Sequence, residues 1–215
     1  MEKSGLGELR KEYGILELDK KSVDQNPVIQ FEKWFKEAYH KEGEEANTMT
    51  LSTIGFDGCP EGRIVLLKFY ADDGFTFYTN YESAKARQLA ANPNASLTFH
   101  WKSLERQVRI KGMVEKIPTE ISDAYFESRP RESRIGAWSS PQSKTIPNRE
   151  FLDDKAAKIS SNFKEDAHIP RPDFWGGYLL KAHTIEFWQG RPSRLHDRIV
   201  YDLEGDIWNI KRVAP

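Results

Sequence analysis

Apolar positions along the 215-residue chain predict short strands joined by tight turns, with helices at intervals. Asn26-Pro27 opens the first helix: Pro27 suits a first helical turn, and Ile29, Phe31, Trp34, Phe35 and Ala38 mark one apolar face up to Gly43. Thr48 to Ile54 alternates, Gly55-Phe56-Asp57-Gly58 turns, and Gly62 to Tyr70 follows as a hairpin partner. After a second turn at Asp72-Asp73-Gly74, Phe75 to Thr79 reads as a third strand of a meander. Ser83 is an N-cap for a helix through Ala91, which Asn92-Pro93-Asn94 closes.

Two more strands run from Ala95 to Trp101 and from Arg106 to Ile117, the second alternating Val108 and Ile110 against Gln107, Arg109 and Lys111. The middle turns helical at Glu120 to Ser128, near Ile135, and from about Arg149 to Asn162, with a Ser/Pro-rich loop from Ser139 to Pro147. Strands return at Trp175 to Trp188, Leu195 to Tyr201 and Ile207 to Lys211. This order predicts a mainly β fold, a closed or partly closed antiparallel barrel with peripheral helices. Residues 1–25, charged and only sparsely apolar, read as a flexible arm with at most a short helix around Glu8 to Tyr13; residues 26–215 read as one domain.

Charge narrows the function classes. Lys plus Arg (32) nearly balances Asp plus Glu (33), so no global basic field is available to hold nucleic acid or an anionic membrane, and any anion site is local. The single cysteine, Cys59, excludes an intrachain disulfide and a cysteine-based metal site and fits a reducing, cytoplasmic setting. No apolar run approaches a membrane span, and MEKSGLGELRKEYG lacks the apolar core of a signal peptide, so a soluble, unexported protein is expected. The five histidines show no HExxH or paired ligand spacing, and GxSxG and GxGxxG are absent.

Several cations remain that could carry chemistry. Arg63-Ile-Val-Leu-Leu-Lys68 is a strand bounded by two cations that fall on opposite faces, so the two need not serve one ligand. Tyr78-Thr79-Asn80 followed by Ser83-Ala84-Lys85 sets a strand end beside a helix start, where free N–H groups and Lys85 form a credible phosphate cradle. Tyr125, Arg129 and Ser133, at four-residue spacing with Pro130 after Arg129, make a phenol–guanidinium–hydroxyl phosphate clamp at a helix end. In IEFWQGRPSRLHDR, Glu186 and Trp188 share one strand face and Ile185 and Phe187 the other, while Gly190 and Pro192 break the strand. Arg194, His196 and Arg198 follow on a second alternating segment, able to point the same way toward a flat, anionic, partly apolar ligand. Spacing alone leaves open a hairpin with a solvated charged face.

That run resembles the C-terminal signature of the pyridoxamine 5′-phosphate oxidases. In that signature an aliphatic-Glu-aromatic-Trp core precedes Arg-aliphatic-His-Asp-Arg, and Glu186, Phe187, Trp188, Arg194, His196, Asp197 and Arg198 fill each fixed position. The resemblance extends from Arg10 to the carboxyl terminus. It implies an FMN-binding split barrel, a homodimer with flavin sites at its interface, and oxidation of a vitamin B6 5′-phosphate amine or alcohol to pyridoxal 5′-phosphate. Dioxygen would reoxidise the flavin with release of hydrogen peroxide.

Residue by residue, the resemblance implies that Arg63 through Lys68, which includes Ile64, Val65, Leu66 and Leu67, lies along the cofactor, with Arg63 on its phosphate. Tyr78, Thr79, Lys85, Gln107, Gln142, Ser143, Trp188 and Arg198 would also hold FMN. Lys68, Tyr125, Arg129 and Ser133 would clamp the substrate phosphate, Arg194 and His196 would contact its ring and reacting substituent, and Arg10 and Tyr13 would form a lid. One departure is Ala84, where many relatives carry Arg; it predicts a missing phosphate contact and a lower flavin affinity. Two other readings stand beside this one: a split-barrel flavoprotein of flavin reductase-like or heme-handling type, and a non-catalytic protein that sequesters FMN or pyridoxal phosphate.

Overall fold

The computed structural model describes residues 12–14, 16–163 and 167–215. Arg10 and most of the expected Glu8–Tyr13 helix lie outside these residues, and Glu12 to Gly14 are not helical. Among the described residues the elements are α1 (Pro27–Glu42), β1 (Thr48–Ile54), β2 (Pro60–Leu66), β3 (Phe69–Ala71), β4 (Gly74–Asn80), α2 (Ala84–Ala91), β5 (Asn94–Trp101) and β6 (Arg106–Lys116). They continue with α3 (Thr119–Ser128), α4 (Arg131–Ser139), α5 (Glu150–Asn162), β7 (Trp175–Gln189), β8 (Asp197–Glu204) and β9 (Ile207–Arg212). The hydrogen-bonded strand order is β2-β1-β5-β6-β7-β4-β3, with β8 paired to β7 and β9 to β8.

The chain divides into two compact units. One comprises the described residues up to Thr50 with Leu97–Lys111 and Ala182–Pro215; the other comprises Leu51–Ser96 and Gly112–Lys181. In the first unit, Asn26 accepts from Val28 N at 2.7 Å and starts α1, whose Phe31, Trp34 and Ala38 are buried as the apolar stripe predicts. Phe31 packs against Phe99 and Trp101, and Trp34 meets Phe187 edge to face at 5.2 Å. β7 and β8 pair antiparallel with Trp188 opposite Arg198 and Glu186 opposite Val200. The segment before α1, expected to belong to an arm, packs here: Leu18 and Val23 are buried, and Tyr201 Oη donates to Asp24 O at 2.7 Å.

In the second unit β4 pairs antiparallel with the first part of β7, Tyr78 opposite Gly177 and Asn80 opposite Trp175. Gly177 admits the Tyr78 ring: a Cβ there would lie 2.9 Å from Tyr78 Cε1. α3 and α4 pack through Phe126 and Ile135 around Trp175. Two expectations shift. The strand expected from Gly62 to Tyr70 stops at Leu66, and after Leu67-Lys68 the chain changes partner: Lys68 N donates to Thr76 O at 2.9 Å and β3 pairs β4. The alternating segment expected from Leu195 starts only at Asp197, because Pro192 opens a single 3₁₀ turn in which Ser193 (φ 55°) and Arg194 (φ 62°) are left-handed. Arg194 therefore does not share a strand face with His196 and Arg198, and it is exposed.

Candidate active site

A cavity of about 530 Å³ opens in the second unit, inside the range of roughly 300–1,000 Å³ usual for small-molecule sites. Four places in the fold line it: Ile64, Val65, Leu66 and Lys68 at the end of β2; Tyr78, Thr79, Asn80 and Lys85 at the junction of β4 and α2; Tyr125, Arg129, Pro130, Ser133, Gly136 and Ala137 across α3 and α4; and Ser140, Gln142 and Trp175.

Lys85 stands in the first turn of α2, which Ser83 caps by accepting from Ala86 N. Its Nζ lies 3.2 Å from Thr79 Oγ1, 3.3 Å from Gln142 Oε1 and 3.5 Å from Ser83 Oγ, all neutral acceptors. Burial holds the ammonium below the ordinary lysine range, and the neighbouring charge of Arg63 adds to that shift. A cation without a carboxylate, beside helix N–H groups that lack intrahelical partners, is a place for an incoming anion.

A second cationic group forms where α3 ends. Arg129 lies with its guanidinium carbon 4.6 Å from the Trp175 ring centre and 5.6 Å from that of Phe126, and its buried Nη1 has no hydrogen-bond partner. Tyr78, Tyr125 and Trp175 stack beside it, with ring centres 3.9 Å apart for Tyr78–Tyr125 and 5.4 Å for Tyr78–Trp175. Tyr78 Oη is also buried without a partner; burial, with help from Tyr125 and Tyr81, pushes its phenol up to about 12, so it stays protonated and able to donate. Unmet buried donors on an aromatic wall fit a flat ligand carrying anionic groups.

The C-terminal motif folds into the first unit with a different character. Trp188 and His196 ring centres are 4.6 Å apart, and Tyr13 meets each edge-on at 5.8 Å. A Cβ on Gly190 would lie 2.8 Å from Tyr13 Cγ, so glycine is what admits that ring. Arg191 N donates to His196 Nδ1 at 3.0 Å, so the neutral imidazole carries its proton on Nε2. Arg198 grips Glu186 in a fork, Nε–Oε1 2.9 Å and Nη2–Oε2 3.0 Å, and Arg109 Nη2 reaches the same carboxylate at 2.5 Å. Burial pushes the Glu186 carboxyl up, but the bonds from Arg198 and Arg109 outweigh it and hold it below its ordinary value.

The structure thus brings together Ile64, Val65, Leu66, Lys68, Tyr78, Thr79, Lys85, Tyr125, Arg129, Ser133 and Gln142 around one cavity. Arg63, Leu67, Gln107, Ser143, Tyr13, Trp188, Arg194, His196 and Arg198 do not line it. Arg63 is engaged by its own strand neighbours, and Leu67 is buried. Trp175 lines the cavity without a sequence expectation, and Asn80, expected only as part of the strand end before α2, lines it too. Trp175 was hidden in an apolar strand; the Gly176-Gly177 pair after it, where backbone must admit rings, was the available signal.

An antiparallel β fold with a cavity that offers two cationic groups around stacked aromatics defines a split-barrel protein for flat, phosphate-bearing ligands. Residues 35–163 match the family described as pyridoxamine 5′-phosphate oxidase, and residues 175–215 match the pyridoxine 5′-phosphate oxidase C-terminal dimerisation region. The chain belongs to the pyridoxamine 5′-phosphate oxidase family. It is 53% identical over 210 residues (98% of this chain, 99% of the relative) to the pyridoxine/pyridoxamine 5′-phosphate oxidase of Polynucleobacter asymbioticus. It is 50% identical to that of Salinibacter ruber over 99% of this chain and all of the relative. Among solved structures, PhzG of Burkholderia lata in complex with tetrahydrophenazine-1-carboxylic acid matches 95% of this chain and 100% of its own, with TM-score 0.87 and 25% identity. A pyridoxamine 5′-phosphate oxidase-related, FMN-binding protein of Nostoc punctiforme shares the fold, with TM-score 0.69, 17% identity, and coverage of 93% of this chain and 100% of that one. Membership makes the protein a flavin-binding oxidoreductase of vitamin B6 metabolism. Among the described residues no helix is long and apolar enough to cross a membrane.

Proposed function

We propose that the protein oxidises pyridoxamine 5′-phosphate and pyridoxine 5′-phosphate to pyridoxal 5′-phosphate with FMN as cofactor and dioxygen as final acceptor. The observation that carries this reading is the pairing of two cationic groups in one cavity, Lys85 with the α2 start and Arg129 with Ser133, because cofactor and substrate each bring a phosphate. FMN, when bound, would supply a two-electron acceptor for the C4′ carbon, with dioxygen reduced to hydrogen peroxide; for the amine substrate water would provide the aldehyde oxygen and ammonia would leave.

The protein's own residues bind and orient. Lys85, Thr79 and Gln142 receive the flavin phosphate and its surroundings; Arg129, Ser133, Tyr125 and Lys68 receive the substrate phosphate. The Tyr78–Tyr125–Trp175 stack gives the cavity an aromatic wall. We assign Trp188 and Arg198 to the flavin, and Arg194 and His196 to the substrate ring, where a His196 Nε2–H can donate to the reacting substituent. Holding C4′ against the acceptor is worth more to the rate than any proton transfer these groups provide.

The proposed assembly is a homodimer, supported by the match to a dimerisation region and by exposed apolar side chains on β2 and β3, Ile64, Leu66 and Phe69. A cytoplasmic setting rests on the lone, exposed Cys59. Anaerobic titration of the flavin-loaded protein with pyridoxamine 5′-phosphate tests the function. The flavin absorption band is expected to bleach, and air to restore it with peroxide; full flavin loading without bleaching overturns the enzyme reading.

A further inference from the structure

Arg63 and Lys85 are neighbouring cations with opposite circumstances. Lys85 faces neutral acceptors, whereas Arg63 Nη2 lies 3.2 Å from Glu61 Oε2 and its Nη1 donates to Glu61 O at 2.8 Å, Leu51 O at 3.2 Å and Thr53 Oγ1 at 2.5 Å. Arg63 Nη2 also donates to Gln88 Oε1 at 3.2 Å. The other Glu61 oxygen accepts from the buried Gln88 Nε2 at 2.6 Å, so the carboxylate is held from two sides. Glu61 and Arg63 share the exposed edge strand β2 two residues apart, on the same face. The carboxylate therefore sits on the guanidinium that the family resemblance gives to the flavin phosphate, and Arg63 is absent from the cavity lining. Ala84 at the helix start offers no side-chain donor in compensation.

We propose that Glu61 is an internal competitor for the flavin phosphate: its carboxylate occupies Arg63 in the flavin-free protein, must be displaced on binding, and so sets the affinity for phosphorylated over unphosphorylated flavin. The proposal rests on the FMN reading above. Arg63 meets the Glu61 carboxylate through Nη2 alone, and a second anion brought to the same guanidinium is repelled by the first. Because Glu61 is about half exposed, the displacement is a graded penalty and does not block binding.

The test is flavin affinity of the apoprotein, read by quenching of flavin fluorescence, for FMN and for riboflavin side by side. Glu61→Gln removes the charge but keeps an amide for Arg63 and Gln88; it is expected to lower the FMN Kd about threefold to tenfold and to leave riboflavin unchanged. Glu61→Ala should move FMN in the same direction, and the gain should vanish in an Arg63→Met background. Thermal melting of each apoprotein checks folding, and Arg63→Gln replaces Arg63→Met if the latter does not fold. An unchanged or raised FMN Kd in both Glu61 variants, an equal shift for riboflavin, or a gain that survives loss of Arg63 overturns the proposal alone. Wild-type protein that binds neither flavin overturns the flavin reading and the proposal together.

Discussion

The cavity of the second unit and the C-terminal cluster of the first are built from the same materials, arginine or lysine beside tyrosine and tryptophan, yet their charges are handled in opposite ways. In the cavity Lys85 meets neutral acceptors, and Arg129 carries a buried Nη1 without a partner. In the cluster four arginines face carboxylates: Arg198 and Arg109 on Glu186, Arg191 on Glu17 and Asp197, Arg212 on Asp197 and Asp19. A cation that already has a carboxylate partner must share or exchange it to meet a ligand, whereas a cation beside neutral groups is open to an incoming anion. Residue type does not distinguish the two cases; the company each guanidinium keeps does.

The largest effect that would sharpen this contrast is expected from Arg129→Ala. Losing a charge-assisted phosphate clamp should raise KM for pyridoxamine 5′-phosphate about a hundredfold with a smaller change in kcat, in steady-state assays. Equal loss for a substrate without phosphate would break the assignment. Glu186→Gln, in the paired region, should act on folding: about 2 kcal/mol of stability by denaturant titration, less than a fully buried pair because Arg109 and Arg198 are partly solvated. The pH dependence has a definite sign. The Glu186 carboxyl lies below its ordinary value of 4.5 in the folded state, so its stabilisation is present above that value and is lost as pH falls through the folded-state value. Glu186→Gln should flatten this acid limb.

Lys85→Met should weaken FMN about tenfold in apoprotein titrations while moving riboflavin little, the mark of a phosphate contact. The smallest effect belongs to Tyr78→Phe. Its hydroxyl is buried without a partner, so the ligand-free protein should melt within about 0.5 kcal/mol of wild type or slightly higher. A drop of several-fold in flavin or substrate affinity in the same variant would show that the hydroxyl finds its partner in a ligand.

Much of the cavity was legible because its residues carry local signals. Ser83 before an amphipathic run announced the start of α2 and therefore Lys85, and Tyr125, Arg129 and Ser133 fell at helical spacing around Pro130. Trp175 was not legible: an aromatic in an apolar strand looks like core, and its role under Arg129 depends on α3, far away in sequence. Arg194 was misplaced for a local reason, since two left-handed residues after Pro192 delay the strand that alternation predicted. The packing of Leu18 and Asp24 is not legible locally, because their partners Arg212 and Tyr201 lie nearly the whole chain away.

By itself the sequence determined the strands and turns, the helix starts, and a motif from Glu186 to Arg198 long enough to define a family, because periodicity, caps and fixed spacings are properties of neighbours along the chain. Only the tertiary structure decided which cations meet carboxylates and which meet neutral groups. Whether Arg109 and Arg198 meet on Glu186, or Lys85 meets the neutral Gln142, depends on which strands, helices and loops are brought side by side. Electrostatic pairing acts over a few ångströms in space, and residues far apart in sequence supply most of what lies within that reach.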